Sequence, residues 1–379
     1  MDFQFNEEQR MAIEGARRFS QEKLAPAAAE FDEKAEVNLK GLKELGRLGY
    51  LGMTVPEDYG GSAMGAVAYA GSMVEVSKAD AGVAVGMSVQ NSLVNDAILH
   101  FGTEAQKTEF LPKLSSGEWI GCFSLTEAGA GSDPASMRTT AARDGQSFVL
   151  NGTKNFTTNG GIADVIIVFT RGGPDGRNNS TFLVKKETPG FSVGKHEHKM
   201  GIRSSSTTEL VFQDCRVPAS ALLGEEGKGL KIALTTLDGG RIGIAAQAVG
   251  IAEAALDESV RYAKERIQFG KPIAELEGVQ FMLADMATEV ELAKTMLFRV
   301  AWMKESGHKR FTKEAAMLKL FASEMSHRVC HKAVQVHGGY GYMKEYKVER
   351  LYRDQRITEI YEGTSEIQRY VIARTLLGA

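Results

Sequence analysis

Cysteine is scarce in this chain, and neither sign of charge prevails. Only Cys122, Cys215 and Cys330 occur. They are odd in number and lack metal-type spacing, which argues against a disulfide framework or a zinc site. Reduced thiols suit a cytoplasmic protein. There are 45 basic and 48 acidic side chains, a formal net charge of -3, so no general electrostatic term calls for nucleic acid or an anionic membrane surface. A run of about 18 apolar residues is also missing, so no membrane span is expected. The opening residues include Asp2, Gln4, Asn6, Glu7 and Glu8, without the basic and apolar regions of a signal peptide. What is there, 379 residues with 43% hydrophobic side chains, suffices for two or three soluble domains.

The periodicity divides the chain into three. Over 1–118 the pattern is helical: Ala12, Ala16 and Phe19, then Leu42, Leu45 and Leu48, then Tyr69, Met73 and Val76, and Leu93, Ala97 and Phe101 stripe helix faces. Over 119–226 short apolar and β-branched runs take over, at Phe148–Leu150, Val165–Phe169, Thr181–Val184 and Glu209–Phe212. Asn151-Gly152 suits a tight hairpin turn, and Arg171–Ser180 is rich in turn residues. Over 227–379 helical spacing returns, with Ile242, Ala246 and Val249, then Met282, Met286 and Val290. Ser365 and Gln368 have the spacing of a capping box, and Ile367, Tyr370 and Val371 follow on one face that Arg374 interrupts. The fold class expected is α+β multidomain, in the order helices, sheet, helices.

Three stretches carry a resemblance. They are Leu125-Thr126-Glu127-Ala128-Gly129-Ala130-Gly131-Ser132-Asp133, Gln335-Val336-His337-Gly338-Gly339, and Ile360 to Arg369 with Tyr361-Glu362-Gly363-Thr364 at its centre. With Arg266–Lys271 and the pair Asp238 and Arg241, they resemble the acyl-CoA dehydrogenases in sequence, order and separation, over essentially the whole chain. The resemblance implies an N-terminal helical domain, a central β-barrel and a C-terminal four-helix bundle. It also implies FAD held between domains and across a subunit boundary, a homotetramer, an acyl-CoA substrate, and electron-transferring flavoprotein as the acceptor.

The family reaction removes a proton from the thioester α-carbon and passes a hydride from the β-carbon to flavin N5. A carboxylate serves as base where a desolvated pocket raises its pKa, and hydrogen bonds to the thioester carbonyl stabilise the enolate-like charge. The resemblance places Glu362 as that base and gives its backbone N–H to the carbonyl. Taken from spacing alone, Glu362 reads first as an exposed glutamate favoured by a helix N-terminus. Some relatives carry the base on a helix just before the residue matching Arg241. Here that position is Gly240, which has no acid–base group.

The glycines at 129 and 131 lack a Walker lysine and the spacing of a dinucleotide fingerprint. By resemblance, Phe123, Leu125 and Thr126 face the isoalloxazine, with Phe156, Thr157 and Thr158 beside it, though Phe156 could be a core ring of the β domain. Arg266, Gln268 and Phe269 match contacts to the adenine and pyrophosphate end, where arginine neutralises phosphate. Gln335, Gly338 and Gly339 match contacts across a subunit boundary, and Thr364 and Glu366 the last flavin contacts. Glu277 stands where glutamine is common, which puts any flavin bond there in doubt. Ser132, Asp238, Arg241, Gly363 and Arg374 match acyl-CoA contacts. Arg374 alone could instead make an interhelix salt bridge.

The stretch Thr235–Gly250 is closest to short-chain, butyryl-type members. Branched, cyclic or dicarboxylic acyl groups stay open, since one methylene is worth only about 1–3 kcal/mol of discrimination. Asn95 and Asp96 are expected to cap a helix or face solvent. A flavoprotein oxidase of the same fold is an alternative, although nitroalkane-acting relatives generally carry aspartate where Glu362 stands. A non-enzymatic assembly protein is another, but it would be expected to lose the base or the flavin contacts.

Overall fold

A computed structural model describes residues 4–172, 178–308 and 310–378. Part of the turn-rich Arg171–Ser180 stretch lies outside them. Seven helices come first: α1 (Glu7–Phe19), α2 (Ala25–Lys34), α3 (Leu39–Arg47), α4 (Gly65–Ala79), α5 (Ala81–Ser88), α6 (Asp96–Phe101) and α7 (Glu104–Ser115). Asn6 and Thr103 cap α1 and α7 with reciprocal side-chain and backbone bonds, which satisfies donors that no helix turn reaches. The stretch Val89–Asn95 joins α5 to α6 as a π-helix. Ala12, Ala16, Phe19, Leu42 and Leu45 are buried as their spacing requires, but Leu48 ends α3 in solvent.

Seven strands follow: β1 (Gly121–Ser124), β2 (Thr140–Asp144), β3 (Ser147–Thr158), β4 (Val165–Arg171), β5 (Asn179–Lys185), β6 (Phe191–His196) and β7 (Thr207–Pro218). They run in the order β1-β4-β2-β3-β7-β6, with β5 pairing β4. This corrects the expected β-barrel. The sheet is a half-barrel, because among the strands of the described residues β5 pairs only with β4 and β6 only with β7. The reason lies in β4 and β5, which are buried on both faces until their last residue. One face of β4 and β5 (Val165, Ile167, Phe169, Leu183) packs into helical side chains including Leu93, Phe110, Leu114 and Ile232. The other (Ile166, Val168, Phe182, Val184) packs against Phe148, Leu150, Leu210 and Phe212 of the sheet. Helices cover the wall that a closed barrel would cover with strands.

The Asn151-Gly152 turn is also corrected. The pair lies inside β3, at a register shift against β7, and the β2–β3 reversal falls at Gly145, φ +59°. Gly152 has φ +147°, and a Cβ there would meet Thr139 at 2.5–2.8 Å, so the glycine serves a bulge. Asn151 holds that bulge by accepting from the Asp214 amide at 2.8 Å.

The last region is helical: α8 (Gly229–Glu265), the short hairpin β8 (Ile267–Gln268) and β9 (Lys271–Pro272), α9 (Glu277–Glu305), α10 (Thr312–His337), α11 (Lys347–Gln355) and α12 (Ser365–Leu377). Ala and Gly dominate the buried face of α8, which lets α4, α9 and α10 approach it closely. Gly250 is one such point, where a Cβ would lie 2.4 Å from the Val74 carbonyl of α4. Among the described residues no helix is long and apolar enough to cross a membrane.

Candidate active site

A cavity of about 640 Å³ opens where the three regions meet. β1 contributes Phe123, the loop after it Leu125, Thr126, Gly131 and Ser132, and β3 Asn155, Phe156 and Thr158. Val85, Val89 and Leu93 of α5 and the π-helix form an apolar side, with Leu237 and Arg241 of α8 beside them. Tyr361, Glu362 and Gly363 sit on the loop before α12, and that helix adds Ile367, Tyr370, Val371 and Arg374. Arg374 therefore interrupts its apolar stripe on the cavity side, with its guanidinium 5.7 Å over the Tyr370 ring.

Glu362 is held in a demanding conformation. Its φ is +51° and that of Gly363 is +91°, a left-handed pair that costs energy at the glutamate. The surroundings that enforce it are specific. Lys319 of α10 donates to the Gly363 carbonyl at 2.7 Å. Gln368 donates to the same carbonyl at 2.9 Å and to that of Glu362 at 3.2 Å. Tyr361 donates its hydroxyl to Gln247 of α8, which in turn donates to the Ala81 carbonyl at 2.7 Å. Lys319, Gln247 and Gln368 are all fully buried.

The Glu362 residue keeps contact with the cavity, but its Oε2 is sealed from water without a hydrogen-bond partner. Burial pushes the carboxyl up to about 7, against the pull of Lys319 and Arg241. This excludes the reading of an exposed glutamate at a helix start. Gly240 is the other half of the arrangement. A Cβ there would lie 2.0 Å from Glu362 Oε2 and 2.9 Å from Leu93 Cδ2, so the carboxylate occupies the room that a side chain on α8 would need.

Arg241 is buried, its Nε lacks a partner, and Asp238 accepts from its Nη1. Asp238 also accepts from the Thr312 hydroxyl. Asp238 thus acts on Arg241 and stays off the cavity wall. Thr157 is likewise turned away: it is buried and bonded to Ser124 at 2.9 Å. Phe156 is 61% exposed at φ +55°, so it is no core ring.

A second cavity, about 550 Å³, gathers Arg266, Gln268, Gly338 and Gly339 with Tyr262, His337, Tyr340 and Met343. Phe269 is 88% exposed at φ +52°, and Gln335 and Glu277 also face solvent. Thr364 caps α12 by accepting from the Ile367 amide, with Glu366 in the first turn. That corrects the expected capping box: the cap falls one residue earlier, Ser365 Oγ is buried without a partner, and Gln368 bonds the Glu362–Gly363 loop instead. Asn95 and Asp96 are corrected too. Both are buried, Asn95 donating to the Leu51 carbonyl at 2.7 Å and Asp96 pairing with Lys304 and Thr54. Neither lines the main cavity.

Sequence reading missed Lys154 as well as Lys319 and Gln247. The Lys154 ammonium is buried, bonded to Glu127 at 2.8 Å and to the Leu125 carbonyl at 3.1 Å. Glu127 also accepts from the Arg138 and Thr139 amides, so the pair fixes the loop that carries Thr126 and Ser132. A lysine in an alternating strand gave no sign of being buried.

Family models for the N-terminal, middle and C-terminal domains of acyl-CoA dehydrogenase match residues 6–118, 122–215 and 227–377. The chain belongs to the acyl-CoA dehydrogenase family. It is 48% identical to the mitochondrial short-chain specific acyl-CoA dehydrogenase of Homo sapiens, over 98% of this chain and 90% of that one. The butyryl-CoA dehydrogenase structure from Megasphaera elsdenii is 46% identical, with a TM-score of 0.97 and full coverage of both chains. An acyl-CoA dehydrogenase from Bacillus anthracis, solved in complex with FAD, is 37% identical with a TM-score of 0.94. It is matched over 99% of this chain and 67% of that one.

Proposed function

We propose that this chain is an FAD-dependent dehydrogenase of short-chain acyl-CoA thioesters, with Glu362 as the base that removes the α-proton. The observation that carries the assignment of the base is a carboxylate raised to about 7, sealed against Gly240 at the wall of the main cavity. A group with a pKa near working pH is both deprotonated enough and basic enough to take a weakly acidic proton.

The residues present fit a flat conjugated cofactor. Phe123 and Leu125 give an apolar wall, the Phe156 ring is held exposed, and Thr126 and Thr158 bring hydroxyls. When bound, FAD supplies the acceptor for the hydride leaving the β-carbon. Arg266, Gln268, Gly338 and Gly339 would hold its adenine and pyrophosphate end. Phe269, Gln335 and Glu366 are exposed on the single chain, which suits contacts completed by another subunit of a homotetramer. Electron-transferring flavoprotein is the acceptor on this reading, and the cytoplasm its place.

The remaining work belongs to the protein. Glu362 takes the α-proton, and its backbone N–H donates to the thioester carbonyl, stabilising negative charge as it develops. Ser132 and Gly363 border the thioester. Arg374, exposed at the mouth on α12, suits an anionic part of coenzyme A, since guanidinium pairs well with phosphate. Val85, Val89 and Leu93 exclude water from the acyl chain and help keep the Glu362 carboxyl desolvated. The short-chain assignment is supported by the butyryl and short-chain relatives at 46–48% identity.

Anaerobic titration of the purified holoenzyme with a panel of acyl-CoA thioesters, followed by absorbance, tests the reading. Bleaching of the oxidised cofactor by butyryl-CoA, with crotonyl-CoA formed, is the expected result. Bleaching only by branched, cyclic, dicarboxylic or longer thioesters would replace the substrate and keep the chemistry. No bleaching by any thioester would remove the function.

A further inference from the structure

The loop of the base is anchored by a group that simple packing does not call for. Lys319 lies inside α10, fully buried, and its ammonium donates to the Gly363 carbonyl rather than to a carboxylate. An ammonium taken out of water costs several kcal/mol unless strongly compensated. One neutral amide, Gln368, already donates to the same carbonyl at 2.9 Å. The hydrogen bond that holds the left-handed Glu362–Gly363 pair is therefore met without a charge. What Lys319 adds is the charge itself, which acts on the Glu362 carboxyl and is fixed by the bond to the next residue's carbonyl.

We propose that Lys319 is a positioning residue for this reaction: it grips the carbonyl following the base and holds a fixed positive charge that acts on the Glu362 carboxylate. Other groups face Glu362 as well. Arg241 approaches from α8 with Asp238 attached, and Tyr69 of α4 and Tyr361 both sense the carboxylate's charge. Glu359 and Glu366 act on Lys319 from either side of the loop. Arg241 also faces the substrate cavity, where an incoming thioester changes its surroundings. Lys319 is shut away from the cavity, so its effect persists through turnover. Burial lowers its own ammonium to about 8 while Glu362 opposes that shift, so the charge is present where the base must be ionised.

The proposal rests on Glu362 being the base, and the test separates the two. Wild type, Lys319→Met, Lys319→Arg and Gln368→Leu holoenzymes are mixed anaerobically with butyryl-CoA, and the bleaching rate is followed on both sides of pH 7. Fold and cofactor content are checked by circular dichroism and absorbance. Removing the charge makes the carboxylate harder to ionise. In Lys319→Met the acid limb of the rate should rise by about one pH unit, with a rate slower by about fivefold at pH 7 and about tenfold a unit below it, and a smaller change in KM. Lys319→Arg keeps the limb in place. Gln368→Leu removes the neutral anchor and leaves the charge, so it slows the reaction without moving the limb. If Lys319→Met does not fold, Lys319→Gln replaces it, and the Gln368→Leu result stands independently. An unmoved limb in the uncharged variant, or an equal shift in Lys319→Arg or Gln368→Leu, would overturn the proposal. A wild type that no thioester bleaches would instead remove the reading of the base itself.

Discussion

Glu362 and Gly240 illustrate how much of the site resides in single residues. The glutamate was legible through its motif, and the glycine as the absence of a competing acid–base group. That the two share one space was not legible, because they are far apart in sequence and meet only when α8 packs beneath the α12 loop. Gly240→Ala tests the relation. The atom displaced first is the end of a flexible side chain, Glu362 Oε2, so stability should change little while the proposed base is pushed off its line. Expected is a bleaching rate lower by about a hundredfold, since an ångström of misplacement has that effect, with a melting temperature within a few degrees of wild type. Normal turnover would show that the carboxylate has room that the packing denies it.

At the scale of elements, type and order followed from hydrophobic period, and the errors are instructive. Asn151-Gly152 has the chemistry of a turn, but a bulge asks for the same positive φ, and only pairing with β7 distinguishes them. Ser365 and Gln368 have the spacing of a capping box, yet Thr364 precedes them with an equally good cap. The barrel failed because strand runs do not reveal that helices cover β4 and β5. The glycines of α8 weaken a helix in isolation, by about 1 kcal/mol each relative to alanine. Their value is close approach. Gly250→Ala should gain that propensity term but drive a Cβ against the Val74 backbone carbonyl of α4, where neither side can step aside. The clash should win, with a net loss of about 1–2 kcal/mol in urea unfolding. Equal or greater stability would mean that the α4–α8 crossing is looser than its geometry.

Across the whole molecule the three regions are joined by buried polar contacts that no local pattern discloses. Arg353 of α11 grips Asp32 of α2 at 2.6 and 3.0 Å and the Met200 carbonyl at 3.1 Å. Its neighbour Asp354 accepts from the Ile202 amide, and Ser204, on the same loop after β6, donates to Asp80 at the start of α5. Burial pushes the Asp354 carboxyl up to about 7, with bonding to Ile202 and the nearby Arg350 opposing. A pKa raised on folding means that the native state favours the protonated form. Its stabilising contribution is complete below the ordinary carboxylate value near 4 and is lost as pH rises through about 7. Asparagine keeps an acceptor for Ile202 and never ionises. Asp354→Asn should therefore be more stable than wild type above pH 7, by on the order of 1 kcal/mol. That advantage should shrink towards acid in denaturant titrations. An advantage independent of pH would contradict the assignment.

The measurement closest to the central claim is anaerobic mixing of Glu362→Gln holoenzyme with butyryl-CoA beside wild type. Glutamine fills the same space, removes the proposed base and leaves the cavity otherwise intact. Bound FAD, an unchanged fold and thioester binding are expected, with bleaching slower by about a thousandfold or more. Bleaching at a near-normal rate would mean that another group takes the proton and that Glu362 is not the base.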